Sequence, residues 1–464
     1  MDTTTSSAAE WAESEFGECN LGDKRRTRRL VLVAARLADG SEGTLPGSFS
    51  EWSELKGAYR LFDNKGIAYE SIVAPHRQRV LEACSQPGEY LMIEDTSTLD
   101  YSSLRATTGL GRVGDDRGRG LFLHTTLAVA VHDWDEAQQP QVTLVGVLGQ
   151  KYWARTRRKV KGEKRKQRLT RPRESQRWAK VVEEVGAPPA DVTWTYIADR
   201  ESDIYETLMR CQDNKWKYII RANQARALAN EEGSVFTALD DVPELGRYVV
   251  DLRARPGQAA RRATMALRSK TIELRAPQRP GGGMCSFTVT VVDAREVDAP
   301  AGVEPLHWTL LTNWPAETFQ QALRVVQAYT RRWLIEEYHK ALKSGVGIEN
   351  TQLTTAARIT ALLGILVVVA VRLLGIKLLA GTHPDRIVPE ECFPAEARAI
   401  LDHAGAGSKK KKEPLTYGVL IKQIAMLGGF PGRKGDGDPG WQTIWRGWKK
   451  LMLMLAGYRL ARYG

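Results

Sequence analysis

Two short apolar segments that each end in a carboxylate constrain the fold of this chain more than any other feature. YLMIED covers residues 90–95 and WTYIAD covers residues 194–199, where the helix-like pattern DIYETLMRC follows. Short apolar runs bounded by polar residues are typical of buried strands. Four further strand patterns lie at 121–132, 142–153, 216–222 and 307–313. Strands interleaved with helical patterns predict an α/β fold.

The chain changes character at several points, and these changes predict its domains. Residues 1–72 and 356–464 have helical patterns, whereas residues 73–355 carry the α/β pattern. Within the central region, residues at about 225–306 contain PGQAARR, PQRPGGG and short alternating segments such as RYVVDLRAR. Alternation over short runs is typical of strands. We therefore predict an α/β domain with a β-rich insertion, flanked by helical N- and C-terminal domains.

The charge balance favours a polyanionic partner. The chain of 464 residues has 67 Lys and Arg against 55 Asp and Glu, a formal net charge of +12. Such an excess is typical of nucleic-acid binding, although a membrane surface attracts the same charge. Residues 155–173, RTRRKVKGEKRKQRLTRPR, include 11 basic residues and one acidic residue. This segment is interpreted either as a phosphate-binding loop or as a loop that only adds solubility.

Composition also argues against several classes of protein. Five separated cysteines without Cys-x2-Cys spacing predict reduced thiols and no zinc site. The polar N-terminus does not have the pattern of a signal peptide. Residues 361–381 are apolar, but Arg372 and Lys377 interrupt them, and a membrane span needs about 20 apolar residues. We therefore expect a buried helix there, and a cytoplasmic protein that does not insert into membranes.

The segment YTRRWLIEEYHKALK, residues 329–343, combines adjacent carboxylates with several cations. At about 100° per residue, one stripe of a continuous helix carries five residues: Tyr329, Arg332, Glu336, Lys340 and Lys343. Leu334 and Tyr338 fall on the opposite side, and Glu337 falls off the stripe. The phase therefore selects Glu336 rather than Glu337 as a site residue, although exposed ion pairs would give the same pattern.

Three carboxylates could form one site. Asp95 and Asp199 end their apolar segments, and sites of α/β folds are built at strand ends. Together with Glu336 they could hold two divalent cations, and hard oxygen ligands suit Mg²⁺ or Mn²⁺. Glu94 is a rival ligand, but strand alternation directs it to the face opposite Asp95. Asp203 and Glu201 also lie near Asp199 in the sequence, and Asp203 could cap the following helix.

These residues resemble a known family. IEDTSTLDY around Asp95, ADRESDIYETL around Asp199 and the spacing Tyr329-x2-Arg332-x3-Glu336-x6-Lys343 resemble the DDE transposases of bacterial insertion sequences. The last spacing resembles the Tyr-Arg-Glu-Lys signature of one branch. The similarity extends nearly from end to end, through LGDKRRTRRL, GAYRLF, HWTLLTN, RRWLIEEYHKALKSGVG and LGGF.

The resemblance implies a ribonuclease-H-like catalytic core that the β-rich insertion interrupts. It implies an N-terminal DNA-binding domain and a C-terminal dimerisation domain, with a homodimer acting on paired transposon ends. The implied reaction is cut-and-paste transposition, in which the end is nicked, a hairpin forms and opens, and the 3′-OH joins target DNA. The implied ligands of two Mg²⁺ ions, which Mn²⁺ could replace, are Asp95, Asp199 and Glu336.

DNA contacts are expected in three groups. The resemblance implies that Tyr329, Arg332 and Lys343 contact phosphates, and the stripe adds Lys340, with His339 as a conditional cation. It further implies that a flipped base is held by Arg221, Trp308 and Trp333. Stacking of such a base on an indole is physically sensible, since a tight hairpin strains the terminal base pairs. In the N-terminal domain, the basic segment 21–30 and GAYRLF predict contacts from Arg26, Arg29 and Arg60, although a solvated helix face would give the same basic pattern.

Two alternative functions remain open from the sequence. One is a DNA-binding relative without chemistry, and the other is a nuclease or junction resolvase with the same fold. A third open question concerns Trp441, Trp445 and Trp448, whose spacing predicts an aromatic helix face that is either internal core or a subunit interface. The helical phase also predicts that Glu337→Ala has little effect on cleavage.

Overall fold

The computed structural model describes residues 7–39, 44–49, 51–155, 174–252, 259–278, 284–390, 393, 395–404, 414–433 and 436–463. Its helices are α1 (Ala8–Phe16), α2 (Lys24–Asp39), α3 (Leu45–Ser48), α4 (Trp52–Phe62), α5 (Tyr69–Cys84), α6 (Lys180–Val185), α7 (Tyr205–Asp213), α8 (Phe319–Thr330), α9 (Trp333–Lys340), α10 (Ala356–Thr382), α11 (Ala395–Ala404), α12 (Tyr417–Leu427) and α13 (Trp441–Tyr463). Its strands are β1 (Gly88–Asp100), β2 (Gly111–Val113), β3 (Gly118–Trp134), β4 (Pro140–Trp153), β5 (Val192–Ala198), β6 (Lys217–Arg221), β7 (Gly246–Leu252), β8 (Arg261–Leu274), β9 (Phe287–Val297) and β10 (His307–Thr312). Apart from Arg155, the predicted basic loop 155–173 lies outside the described residues.

Several helices begin at hydroxyl side chains that the sequence places immediately before an apolar pattern. Ser7 accepts a hydrogen bond from the Glu10 N–H, and Thr318 accepts one from the Gln321 N–H at the start of α8. Thr355 caps α10 in the same way. Each cap satisfies a backbone donor that the first turn leaves without a partner, so these helix starts are determined locally.

One mixed sheet contains the ten strands found among the described residues. The strand order is β2-β3-β1-β5-β6-β10-β9-β8-β7, and β4 pairs with β3 outside this path. The pairs β1–β5 and β5–β6 are parallel, whereas β10 pairs antiparallel with both β6 and β9. The insertion is therefore β-rich, as predicted, and it extends the central sheet rather than forming a separate one.

The expected end of the first strand at Asp95 is wrong. β1 continues to Asp100 because β3 pairs with it as far as Asp100, which lies opposite Gly120. Its parallel pairing with β5 does end there, at Glu94 opposite Ala198. Asp95 therefore lies inside a strand but at the end of the parallel ladder, and Asp199 follows β5 directly. Both aspartates therefore lie at the same end of the parallel β1–β5 pair, immediately after its last paired residues.

Strand alternation divides the core into two layers. Leu91 and Ile93 of β1 pack into a layer that includes the N-terminal helices, α8, α9 and α10. Tyr90 and Met92 point the other way, into a layer with α6 and α7. Among the described residues, α10 alone is long and apolar enough to cross a membrane. In its most apolar stretch of 18 residues, 72% is buried in the protein. The expected buried helix is therefore confirmed.

The signature segment does not form the continuous helix that the sequence predicted. α8 ends at Thr330, a turn at Arg331 and Arg332 follows, and α9 begins at Trp333. The residues after α9, Ala341–Gly345, form a π-helical turn. A single helical phase therefore does not relate Tyr329 to Lys343. Within α9 the predicted burial of Leu334 and Tyr338 is observed.

The C-terminal helices pack closely at two glycines. An added Cβ at Gly428 would lie 1.8 Å from the carbonyl oxygen of Thr443, and one at Gly447 would lie 1.6 Å from that of Ile424. Trp441 is buried near this crossing. The start of the aromatic face is thus internal core. The far end of α13 exposes a second set of apolar residues: Leu453, Met454, Tyr458 and Leu460.

We predict that Gly447→Ala lowers the free energy of unfolding by about 1–3 kcal/mol or more, because backbone atoms cannot yield cheaply to the added methyl group. Gly457→Ala on the same helix is the matched control, since nothing lies within 4 Å of its added Cβ. The control is expected to be neutral or stabilising by up to about 1 kcal/mol through helix propensity. Denaturant unfolding of both variants tests this, and equal stability would contradict the close crossing.

Candidate active site

Asp95 and Asp199 form the centre of the candidate site. The Thr96 N–H donates to Asp95 Oδ1 at 2.7 Å, and the Glu201 N–H donates to Asp199 Oδ1 at 2.9 Å. Burial and the neighbouring Asp199 carboxylate raise the pKa of Asp95 to about 6. The two carboxylates are therefore close enough to repel each other in a partly desolvated place.

Arg332 connects this pair to Glu336. Its Nη1 lies 3.7 Å from Asp95 Oδ2, and its Nη2 donates to Glu336 Oε1. Arg332 itself is largely buried, whereas the Glu336 side chain is 46% exposed. The guanidinium thus lies between two carboxylates and offsets part of their negative charge.

The donor set fits a hard divalent cation. Asp95 and Asp199 offer carboxylate oxygens, which Mg²⁺ and Mn²⁺ prefer, and the raised pKa of Asp95 reflects negative charge that a cation would offset. In the described part of the chain, no three His, Cys, Asp or Glu side chains converge closely enough to hold a metal ion. Glu336 faces Arg332 instead, so the third predicted ligand is adjacent to the pair without converging on it.

The two adjacent glutamates of α9 have different environments. Glu337 is buried, and it accepts hydrogen bonds from Lys340, Lys377 and Trp441. Burial raises its pKa, but these donors outweigh burial and hold the pKa below its usual value. A buried and fully paired carboxylate is costly to remove. This burial argues against the expectation that Glu337→Ala leaves cleavage almost unchanged.

Two of the expected phosphate contacts need correction. His339 is buried, and burial together with the Lys343 charge lowers its pKa to about 3. It is therefore neutral and cannot offer a cation to DNA. The Lys340 ammonium pairs with Glu337 at 3.0 Å, so it is directed toward Glu337 rather than toward Glu336. Its ammonium is still about half exposed.

Lys343 follows α9 on the π-helical turn and reaches back to β1. Its ammonium donates to the Thr98 carbonyl oxygen at 2.8 Å and lies 3.3 Å from Glu349. Thr98 is three residues after Asp95 on the same strand. Lys343 therefore lies beside the strand that carries the first aspartate, and its ammonium is partly exposed.

The residues expected to hold a flipped base lie on three elements beside the carboxylates. Arg221 of β6 donates to the His307 carbonyl oxygen at 2.9 Å. The Trp308 ring lies edge-on to Tyr329 at 5.6 Å between ring centres. Trp333, at the start of α9, is 46% exposed. Tyr329 is buried, so its ring packs against Trp308, and it is less available for a phosphate than the sequence predicted.

The N-terminal arginines differ in their exposure. Arg26 donates to the Leu21 carbonyl oxygen at 3.0 Å, and the Arg29 guanidinium packs against Gly57 of α4. Both have contacts within the domain, whereas Arg60 is exposed.

Sequence reasoning missed one exposed aromatic side chain of the N-terminal helices and gave no role to one carboxylate near Asp199. Trp52 is 70% exposed at the start of α4, one turn before Lys56, and a single Trp outside any aromatic spacing gave no signal. Glu201 is a further carboxylate near the aspartates, and burial and the Asp199 charge raise its pKa. Its place two residues after Asp199 was the available signal.

Three family models match successive parts of the chain. They are described as Transposase DNA-binding (residues 8–67), Transposase DDE domain (residues 174–372) and Transposase Tn5 dimerisation domain (residues 368–464). The DDE match contains Asp199 and Glu336, whereas Asp95 precedes it. The order of the three matches agrees with the helical, mixed α/β and helical regions of the structure.

These matches establish the class of protein. DDE transposase domains cleave DNA and transfer strands with divalent metal ions, and the flanking models indicate DNA binding and homodimer formation. The fold class is a ribonuclease-H-like mixed sheet between helical regions. The chain belongs to the DDE transposases with the Tn5-type arrangement of a DNA-binding, a catalytic and a dimerisation domain.

Proposed function

We propose that this transposase performs cut-and-paste transposition as a homodimer on paired transposon ends. In this proposal it binds terminal repeats, nicks the 3′ ends, forms and opens a hairpin, and joins the 3′-OH to target DNA. The observation that supports it is the meeting of Asp95 and Asp199 at one sheet edge, with Arg332 between Asp95 and Glu336. Domain boundaries at 72/73 and 355/356, and a cytoplasmic location at the nucleoid, remain predictions.

The proposed ligands of two Mg²⁺ ions, or of Mn²⁺ in their place, are Asp95, Asp199 and Glu336. When bound, the cations activate the attacking oxygen and stabilise the leaving oxygen. Glu336 is about half exposed and its carboxylate pairs with Arg332, so it would exchange this partner for a cation. The released Arg332 guanidinium would then offer a bidentate contact to a phosphate.

Other residues would hold the DNA around the carboxylates. Lys343 is partly exposed beside β1 and offers a point charge to a phosphate. Trp333 is exposed next to Arg332 and offers a stacking surface for an unpaired base. Arg221 and Trp308 on the adjacent strands would form the other wall of this base pocket. Together these side chains would orient a strained DNA end toward the aspartates.

Removing any proposed ligand is expected to abolish cleavage while preserving end binding. We predict that Asp95→Ala, Asp199→Ala and Glu336→Ala each lower Mg²⁺-dependent cleavage of end-bearing DNA by about 10³-fold or more, since the chemistry relies on charge stabilisation at the metals. Gel-shift and cleavage assays on the same DNA measure both properties. Asp115→Asn, which alters a carboxylate that is 68% exposed, is the control.

The products of the wild-type protein decide between this function and its alternatives. Strand-transfer products are expected alongside nicks and hairpins. Cleavage without strand transfer would instead favour a nuclease or resolvase. Specific end binding without cleavage, under any divalent cation, would favour a binding protein without chemistry. Full activity in all three alanine variants would show that the ligand assignment is wrong.

The raised pKa of Asp95 predicts a pH-dependent loss of stability in the absence of metal. Its pKa is about 6 in the fold and about 3.9 in an unfolded chain, so folding favours the protonated form. Its stabilising contribution is complete below about pH 4 and is lost as the pH rises through about 6. We therefore predict that Asp95→Asn loses less stability than wild type between these limits.

Thermal unfolding with a chelator at several pH values measures this difference. Adding Mg²⁺ near neutral pH should raise the melting temperature of wild type, because the cation offsets the repulsion between carboxylates. The same addition should have little effect on Asp95→Asn. Identical pH profiles for the two proteins would contradict the coupling between Asp95 and Asp199.

The proposed phosphate contacts predict a change in salt dependence. Arg332→Ala and Lys343→Ala should each weaken end binding and reduce the slope of log affinity against log salt by about 1, because each phosphate contact releases a counterion. Lys180→Ala is the control, since α6 lies on the opposite face of the sheet. Binding isotherms over a range of salt test this, and unchanged slopes in both variants would count against phosphate contacts.

A further inference from the structure

Beside each proposed ligand stands a second carboxylate that is buried. Glu94 precedes Asp95, Asp203 follows four residues after Asp199, and Glu337 follows Glu336. The exposed fractions of these second carboxylates are 1%, 4% and 5%, in the same order. Burying a carboxylate is costly unless its oxygens accept hydrogen bonds, so the partners of each one are informative.

Glu94 joins the strands that carry both aspartates. Its carboxylate accepts from the Thr126 hydroxyl at 2.8 Å, the Ala179 N–H at 3.0 Å and the Tyr196 hydroxyl at 2.6 Å. His124 Nε2 lies 3.1 Å away. These partners lie on β3, beside α6 and on β5. Glu94 therefore fixes β1 against β3 and β5 at the rung immediately before Asp95.

Asp203 joins the turn after Asp199 to the segment that follows β6. It accepts from the backbone N–H groups of Asn223 at 2.6 Å and Gln224 at 2.7 Å. Arg226 adds two bonds to Oδ1, at 2.8 and 2.6 Å. The expectation that Asp203 caps the following helix is therefore wrong, because its carboxylate is used by a distant loop. It fixes the turn that contains Asp199.

Glu337 joins α9 to two helices of the C-terminal region. It accepts from Lys340 at 3.0 Å, from Lys377 of α10 at 2.6 Å and from the Trp441 indole of α13. The Lys377 ammonium also lies 4.5 Å from the centre of the Trp441 ring. Glu336, the neighbouring residue, faces Arg332 instead. The helix that presents Glu336 is thus held from behind by two other helices.

We propose that Glu94, Asp203 and Glu337 are positioning residues that set the places of the three metal-binding carboxylates. This inference rests on the proposed function, because it takes Asp95, Asp199 and Glu336 as the ligands. A carboxylate whose oxygens are satisfied by several segments permits one arrangement of those segments. Residues that orient metal ligands in this way affect metal affinity without touching the metal.

The bonds also explain why these carboxylates are not ligands themselves. Each already accepts several hydrogen bonds, and cations or polar donors from other elements surround it. Strand alternation directs Glu94 away from Asp95. The Glu337 carboxylate is directed toward α10 and α13 of the C-terminal region. In this proposal, one carboxylate of each pair binds metal, and the other fixes the backbone segment that carries both residues.

Single-donor variants test this proposal with little disturbance of the fold. Thr126→Val removes one hydrogen bond to Glu94, and Trp441→Phe removes one to Glu337 while keeping an aromatic ring. The matched control is Thr309→Val, because Thr309 donates at 3.0 Å to Asp293, a buried carboxylate that neighbours no proposed ligand. Melting temperature and end binding are measured for all four proteins, including wild type.

The deciding measurement is Mn²⁺ affinity by calorimetric titration, together with the Mg²⁺ dependence of single-turnover cleavage. Both test variants should bind Mn²⁺ about 10-fold more weakly and need correspondingly more Mg²⁺, with end binding unchanged. The control should lose similar stability yet keep wild-type metal affinity. Metal affinities of the test variants equal to that of the control would overturn the proposal.

The design separates this proposal from the function on which it rests. A wild-type protein that neither binds Mn²⁺ nor cleaves end-bearing DNA would refute the proposed function. An active wild type with unaltered metal affinity in both test variants would refute the positioning role alone. If Thr126→Val fails to fold, Trp441→Phe decides the outcome, because phenylalanine keeps an aromatic ring at this buried position.

Discussion

The repulsion between the Asp95 and Asp199 carboxylates is the constraint on which the rest of this structure depends. Partial burial and mutual proximity raise the pKa of Asp95 to about 6, so the pair is costly to ionise together. The protein offsets this charge with the Arg332 guanidinium, which also reaches Glu336. Two carboxylates that repel each other in this way are suited to bind a divalent cation.

The sheet makes this juxtaposition possible. β1 and β5 are parallel up to the rung of Glu94 and Ala198, so the next residue of each chain segment is an aspartate at the same edge. β1 then continues beside β3, which keeps Asp95 within a rigid strand. The insertion lengthens the sheet at its far side and allows the chain to return with α9. Residues more than 100 positions apart in sequence thereby meet at one place.

Adjacent acidic residues in this chain have opposite environments. Glu336 is exposed and faces Arg332, whereas Glu337 is buried among two lysines and an indole. Glu94 and Asp95 divide in the same way across the sheet. Because the buried and the more exposed carboxylates are neighbours in the sequence, a displacement of Glu94 or Glu337 would also move Asp95 or Glu336. Lys377 and Trp441 thus connect the C-terminal helices to α9, the helix that carries Glu336.

Local periodicity by itself directed Asp95 away from Glu94 and Glu336 away from Glu337, but it did not predict the environment of Asp203. Strand alternation separated Asp95 from Glu94, and the alternating segments predicted the β-rich insertion, because these patterns depend only on neighbouring residues. The helical phase separated Glu336 from Glu337, although it assumed one continuous helix from Tyr329 to Lys343. Only the tertiary structure decided that the helix breaks at Arg331, that His339 is neutral and that Lys340 pairs with Glu337. Burial and ion pairing depend on segments distant in sequence, which no local pattern specifies.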